Sequence, residues 1–238
     1  HELKYLVTEE QRARLEAAFE SCMVPDPHGE STICNVYYDT PDFRLIRTSI
    51  EKPEFKEKLR LRSYGTATAD STVFLELKKK FKGVVYKRRT AMTLSQAEAY
   101  LWQGNKPFES QIMSEIDWAM KLYNRPKPAM MIICEREAWF DDAHPDLRLT
   151  FDRNIRCREN DLRFRHAAVG KRLLSENTVL LEIKTAGAMP LWLAEALDAG
   201  NILPGSFSKY GSAYTCTQKE KNLVIPITKG DNKNVVNF

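Results

Sequence analysis

The sequence predicts an α+β fold, an antiparallel sheet of about eight strands with helices laid against it. Three observations point there. Runs rich in β-branched and aromatic residues, such as "STICNVYYD" (31–39), alternate with helical patterns. Three consecutive strands within residues 53–92 are joined by short turns, "KG" among them, so neighbours run antiparallel. The third is a period of two in charge. In "KPEFKEKLRLRSYG" (52–65), Lys56, Lys58, Arg60 and Arg62 fall on one face of a strand, and Phe55, Glu57, Leu59 and Leu61 on the other.

In chain order, "ELKYLV" (2–7) reads as a strand. Thr8 and Gln11 have the spacing of a capping box, which starts a helix running to about Cys22. "STICNVYYD" is the next strand, and "TPDFRLIRTSI" a turn and short helix. Residues 53–64, 72–81 and 84–92 are the three linked strands. Residues 94–104 and 108–123 read as helices, the second with Ile112, Ile116 and Met120 on one side. "AMMIICEREAWF", "DLRLTFD" and "TVLLEIKT" are strands. Pro190 opens the helix "PLWLAEALDA", and "SFSKYGSAYTCTQKEK" supplies the last helix. Residues 1–220 are expected to form one domain, and 221–238 a C-terminal tail.

Bulk properties exclude several classes. The chain has 238 residues, 43% hydrophobic and 29% charged, with a net charge of +4, an ordinary globular composition. Cys22, Cys34, Cys134, Cys157 and Cys216 are scattered, with no C-x-x-C pair, which argues against a zinc site and for a reduced, cytoplasmic protein. No apolar run reaches the roughly 18 residues of a membrane span. Trp102, Trp118, Trp139 and Trp192 are expected in the core or an interface.

Charge alternation recurs on other strands. Glu76, Lys78 and Lys80 share a face, as do Arg148, Thr150 and Asp152, and Glu182 with Lys184; Lys87 lies opposite Tyr86 and Arg88. The triplet Glu-apolar-Lys appears at Glu2–Lys4, Glu76–Lys78 and Glu182–Lys184. A single charged strand face is ordinarily just solvated. Four cations at alternate positions are different: neighbours about 7 Å apart repel by about 2 kcal/mol at an effective dielectric of 20. If the sheet closes with its apolar faces outward, the charged faces line a lumen that needs anions. Arginine and lysine suit phosphate oxygens. The interspersed carboxylates suit a hard divalent cation, Mg²⁺ or Mn²⁺, riding with the phosphates. No P-loop or kinase glycine loop is present. No nucleic acid partner is expected, because the cationic strand carries no interleaved aromatics before Tyr64.

The segments "ELKYLV", "VYYDTPDFRL", "KEKLRLRSYG", "FLELKKK", "LEIKT" and "SFSKYGSAY" occur in the order seen in VTC-type polyphosphate polymerase domains, and the chain resembles that family from residue 2 to about 215. The family belongs to the triphosphate tunnel metalloenzyme (CYTH-like) superfamily. The resemblance implies a closed antiparallel β-tunnel with helices outside, and transfer of the ATP γ-phosphate to a growing polyphosphate chain with Mn²⁺ or Mg²⁺. It implies a catalytic set of Arg60, Arg62, Lys78 and Arg136, and phosphate contacts from Lys4, Lys87 and Lys209. Ser208 joins them from the same "FSKY" motif, and Lys58, Arg148 and Lys184 from their strand faces. Glu182 resembles the metal-binding glutamate, with Glu76 and Glu2 as further candidates. Where eukaryotic members carry a second lysine before "FSK", this chain reads "PGS". It looks like a stand-alone bacterial-type form.

The expected partners are ATP, ADP and inorganic polyphosphate or triphosphate. The lysines around Lys219–Lys221 would suit a membrane-protein partner at the inner face of a membrane. Two other functions use the same face. A tripolyphosphatase or nucleoside triphosphatase needs the same residues with water as acceptor. A non-catalytic polyphosphate-binding module gains nothing from the carboxylates. A nucleotidyl cyclase finds no purine pocket in the sequence.

Overall fold

In the computed structural model, residues 1–141, 143–144, 146–166 and 168–224 are described, the side chains of 222–224 excepted. The strands are β1 (Glu2–Thr8), β2 (Val24–Pro25), β3 (Ser31–Asp39), β4 (Phe55–Tyr64), β5 (Thr72–Phe81), β6 (Val84–Thr93), β7 (Lys127–Phe140), β8 (Arg148–Arg158), β9 (Lys171–Arg172) and β10 (Thr178–Lys184). The helices are α1 (Glu9–Phe19), α2 (Arg44–Glu51), α3 (Leu94–Gln103), α4 (Gln111–Leu122), α5 (Leu191–Ala199) and α6 (Lys209–Val224). The tail expected from residue 221 is helical to Val224; beyond that it lies outside the described residues.

Local signals account for the boundaries. Thr8 and Gln11 form the expected capping box at α1, and Thr93 and Gln96 form a second at α3. Lys82 and Gly83 both have positive φ, the backbone that a two-residue β5–β6 hairpin requires. β2 and β9 are two-residue additions on β7 and β8 that carry no hydrophobic period of their own.

The main sheet is antiparallel in the order β1-β10-β8-β7-β3-β4-β5-β6. The expected closure by a continuous ladder does not occur, since β1 and β6 are the two ends of the hydrogen-bonded order. The gap is spanned by side chains instead, Lys78 of β5 reaching Glu2 of β1 at 3.4 Å. The free edge of β1 takes the segment before α6, where Gly205 N–H donates to the Lys4 carbonyl at 2.7 Å.

The odd-numbered apolar positions of β4 and β5 face outward, where α3 and α4 cover Leu59, Leu61, Leu75 and Leu77. On the other side, α1 and α5 cover Tyr5, Val7, Leu181 and Ile183. The helices are not all outside, however. Part of the concave face is apolar (Ile33, Tyr37, Ile132, Leu180), and it is filled by Ile46 of α2 and by Tyr210 and Ala213 of α6. Burying that surface is worth about 25 cal/mol per Å², which holds α6 in the mouth of the curved sheet.

One expectation about individual side chains changes, and a charged side chain on an outward face proves to be buried. Trp102 and Trp118 are 58% and 57% exposed, with Lys127 and Lys79 over their rings; only Trp139 and Trp192 pack against the core. Glu57 faces away from the cationic row as the alternation requires, yet it is buried. The Tyr123 hydroxyl donates to it at 2.5 Å and Lys79 lies at 3.6 Å, so it is a structural group under α4 and not a solvated one.

Candidate functional site

The concave face encloses a cavity of about 1160 Å³. Every candidate residue named from the sequence lines it except Arg148. Although Arg148 pairs with Lys184 in the ladder, its half-exposed guanidinium turns to Asp26 at 3.1 Å, outside the cavity. The ladder register explains the convergence. Lys58 pairs with Lys78 and Lys78 with Lys87; Arg60 pairs with Glu76; Lys4 pairs with Glu182. Directly opposed residues share a face, so each row of the sheet delivers its charges to the same side.

One wall is built on Glu76. It is buried, and Arg60 Nε donates to it at 2.6 Å, while Lys87 and Arg89 approach at 3.0 and 3.5 Å. Burial alone would raise its carboxyl, but Arg60, Arg62 and Lys87 outweigh that and hold it down at about 2. Arg60 also donates to the Tyr37 hydroxyl at 3.2 Å, and the Tyr37 ring stacks on Tyr210 at 4.5 Å. Arg62 is buried and donates from Nε to Asn35 Oδ1 at 2.9 Å.

The opposite wall is built on Glu182 and Asp152. Arg136 donates to Asp152 through two bonds of 2.5 and 2.6 Å and reaches Glu182 at 3.3 Å. Lys209 contacts both carboxylates, and Lys4 meets Glu182 at 3.0 Å. Burial raises both carboxyls, and the surrounding cations overrule it: Lys209, Lys4 and Arg136 pull Glu182 well below its usual range, and Lys209 and Arg136 lower Asp152.

Lys209 is the first residue of α6, and its position is fixed from behind. The Tyr210 hydroxyl donates to Asp39 at 2.8 Å, and the same carboxylate accepts the backbone N–H groups of Leu45 and Ile46 in the first turn of α2. Ser208 accepts from the Gly211 N–H at 3.1 Å and from Lys58 Nζ at 2.9 Å, tying the start of α6 to β4.

Several cations have no ion-pair partner among the described residues. Among the described residues, Lys56, Lys58, Arg62, Lys80 and Lys184 line the cavity with no carboxylate within 4 Å. Burial lowers the Lys58 ammonium to about 8, with Lys4, Lys78 and Lys56 adding to the effect against the opposing pull of Tyr37. Lys56, Lys184 and Arg62 are lowered as well, burial again being the first cause.

The carboxylates do not gather at one point: among the described residues no three acidic, histidine or cysteine side chains are grouped to hold a metal. Glu2 and Glu182 do converge on one position, the Lys4 ammonium, at 3.5 and 3.0 Å. Thr150 shares their face opposite Glu182, and its buried hydroxyl has no hydrogen-bond partner among the described residues. An all-oxygen set of this kind fits a hard divalent cation whose remaining ligands are phosphate oxygens. Glu76 stands apart, occupied by its three cations.

Asn35, Tyr37 and Asp152 are site residues beyond those the sequence reading selected. Asp152 shows the right parity in "DLRLTFD", but its two partners come from β7 and α6, which only the ladder and the docked helix bring near. Near the end of α6, Lys219 lines the cavity, Lys221 pairs with Glu159 at 2.8 Å, and Glu220 pairs with Lys171. Among the described residues no helix is long and apolar enough to cross a membrane.

Comparison with known families gives a match to the VTC domain over residues 1–218. The chain belongs to the VTC-domain family. The VTC fold here is shared with a protein from Bacillus halodurans provisionally described as an adenylate cyclase, with a TM-score of 0.55, 15% identity, and 87% of this chain and 92% of that one covered. It is shared equally with a provisionally assigned adenylyl cyclase from Hippeastrum, described as having a dominant triphosphatase activity, with a TM-score of 0.55, 14% identity, and coverage of 90% and 95%. No curated protein sequence matches the chain.

Proposed function

We propose that this VTC domain is an ATP-dependent polyphosphate polymerase, transferring the ATP γ-phosphate to the end of an inorganic polyphosphate chain. The observation that carries the reading is the set of cations with no ion-pair partner among the described residues, Lys56, Lys58, Arg62, Lys80 and Lys184, lining one cavity. Such a row demands a polyanion. The cavity volume of about 1160 Å³ exceeds the roughly 300–1,000 Å³ of ordinary small-molecule sites, leaving room for a donor triphosphate and an acceptor chain together.

Phosphoryl transfer needs alignment and charge stabilisation more than a protein nucleophile. Arg60, Arg62, Lys78 and Arg136 hold the β- and γ-phosphates; Arg62, oriented by Asn35 and with no ion-pair partner among the described residues, enters without exchanging a carboxylate. The acceptor is a terminal phosphate oxygen, already anionic, so no strong general base is required. It forms a new P–O bond to the γ-phosphorus while the bond to the bridging oxygen breaks, and ADP leaves with that electron pair. Lys4, Lys58, Lys184 and Lys209 hold the acceptor, with Ser208 fixing Lys58. Glu182 and Glu2 would hold Mn²⁺ or Mg²⁺, which supplies charge neutralisation on the phosphate oxygens when bound. Glu76 orients Arg60 and Lys87.

A second reading is a triphosphatase in the same cavity, favoured by the activity described for the Hippeastrum protein of the same fold. Incubation of the purified protein with ATP and Mn²⁺, followed by resolution of ADP, free phosphate and polyphosphate, separates the two. Polyphosphate growth with little free phosphate supports the polymerase; free phosphate equal to ADP from the first time points assigns the hydrolase.

A further inference from the structure

One end of the cavity carries apolar side chains that phosphate binding leaves unused, beside lysines of the cavity lining. At the β5–β6 hairpin, Phe55 pairs with Phe81 and Phe81 with Val84 in an outward row, while Lys56, Lys80 and Val85 form the adjacent inward row. Phe55, Phe81, Val84 and Val85 are 44%, 47%, 53% and 46% exposed, and Tyr86 and Ile50 beside them are exposed to the same degree. Lys82, at the hairpin tip, lies 5.6 Å from the Phe81 ring centroid, and the Phe55 and Phe81 rings meet edge to face at 6.5 Å. The end of α2 is joined to the same rim, Lys56 Nζ donating to the Ser49 carbonyl at 3.4 Å. Lys52, Lys56, Lys80 and Lys82 outnumber Glu51 and Glu54 there, and among the described residues none of the six has an ion-pair partner.

We propose that this rim docks directly on an anionic lipid surface, the apolar row entering the headgroup–acyl boundary and the lysines meeting acidic headgroups. An emerging polyanion accounts for the lysines but gives nothing to Phe55, Phe81 and Val84, which water solvates poorly. A second copy of the chain would cover the apolar row but would set four lysines against four. An acidic bilayer satisfies both rows at once. Each lysine at such a surface is worth about fivefold in partitioning.

The test is co-sedimentation of the purified protein with vesicles of phosphatidylcholine alone or with about a third phosphatidylserine, beside the variant Phe81→Ser/Val84→Ser. Neither substituted residue lines the cavity, so the rise in melting temperature on adding tripolyphosphate reports independently that the variant is folded and that the anion site is intact. We expect binding to the phosphatidylserine vesicles only, weakened by 0.5 M NaCl, and reduced at least tenfold in the variant while its tripolyphosphate response is unchanged. Should the variant lose that response, Lys82→Glu, at the solvent-facing tip, replaces it with the same expected loss. Equal binding to both vesicle types, undiminished binding by a folded variant, or a dimer of the parent that the variant dissolves would each overturn the proposal.

Discussion

Replacing Lys58 with methionine should make the empty protein more stable and shrink the stabilisation that a bound polyanion adds. Lys58 stands in the cavity beside Lys4, Lys56 and Lys78, and its ammonium is held at about 8 where an unperturbed lysine has 10.5. A difference of about 2.5 units at 1.36 kcal/mol each makes the charged side chain cost about 3 kcal/mol at pH 7. Methionine of similar length removes that cost and forfeits the hydrogen bond to Ser208, about 1 kcal/mol. The net gain of about 2 kcal/mol corresponds to a rise of roughly 4–8 °C in melting temperature for a chain of this size. Because the folded pKa is depressed, the penalty is full below about pH 8 and fades as pH rises towards 10.5, where the unfolded chain also loses its proton. The advantage of the variant should therefore shrink between pH 8 and 10.5. Tripolyphosphate at a hundred times its dissociation constant should stabilise the parent by about 2.7 kcal/mol. Loss of a charged contact weakens binding by about 10- to 100-fold, so the variant should gain less than about 1.5 kcal/mol at the same concentration. Thermal melts with and without tripolyphosphate at pH 7, 9 and 10.5 check all three. A variant no more stable than the parent at pH 7, or a difference that ignores pH, would refute the picture of a cation held against its neighbours.

Other substitutions probe the remaining parts. Glu182→Gln frees Lys4, Arg136 and Lys209 from one buried partner, so the empty protein should lose about 3 kcal/mol, and Mn²⁺-dependent ADP release should vanish; normal turnover at saturating Mn²⁺ removes Glu182 from the metal set. Arg62→Ala should cut the rate on the order of 10³-fold with unchanged or higher melting temperature, whereas Glu57→Ala should keep its activity but melt earlier by about 1–3 kcal/mol, since the Tyr123 hydroxyl loses its acceptor. A folded Glu57→Ala as inactive as Arg62→Ala would mean that the faces of β4 are assigned the wrong way round. Tyr210→Phe deletes the bond to Asp39 and should cost about 1.5–3 kcal/mol together with a drop in ADP formation, because Lys209 immediately precedes it in the chain; calorimetry and the ATP assay read the two effects.

Period-two alternation was enough to sort the side chains of β4, β5 and β10 between two faces, because adjacent residues of a strand cannot point the same way. Arg60, Arg62, Lys78 and Glu182 were legible for that reason, and so was the outward direction of Glu57. The capping box at Thr8 and the hairpin at Lys82 and Gly83 are equally local, since their hydrogen bonds and φ angles involve residues a few positions apart. What no strand encodes is its neighbour. Which cation answers which carboxylate depends on the ladder, and it is the register of β7 with β8 and the docking of α6 that join Asp152 to Arg136 and Lys209. Burial is likewise a property of the assembled fold: Glu57 is covered by α4, Trp118 on that same helix is left in solvent, and Arg148 turns away to Asp26. Closure is decided at the same level, because it depends on the accumulated curvature of eight paired strands, which here stops short of a final ladder and leaves Glu2 and Lys78 to bridge the gap.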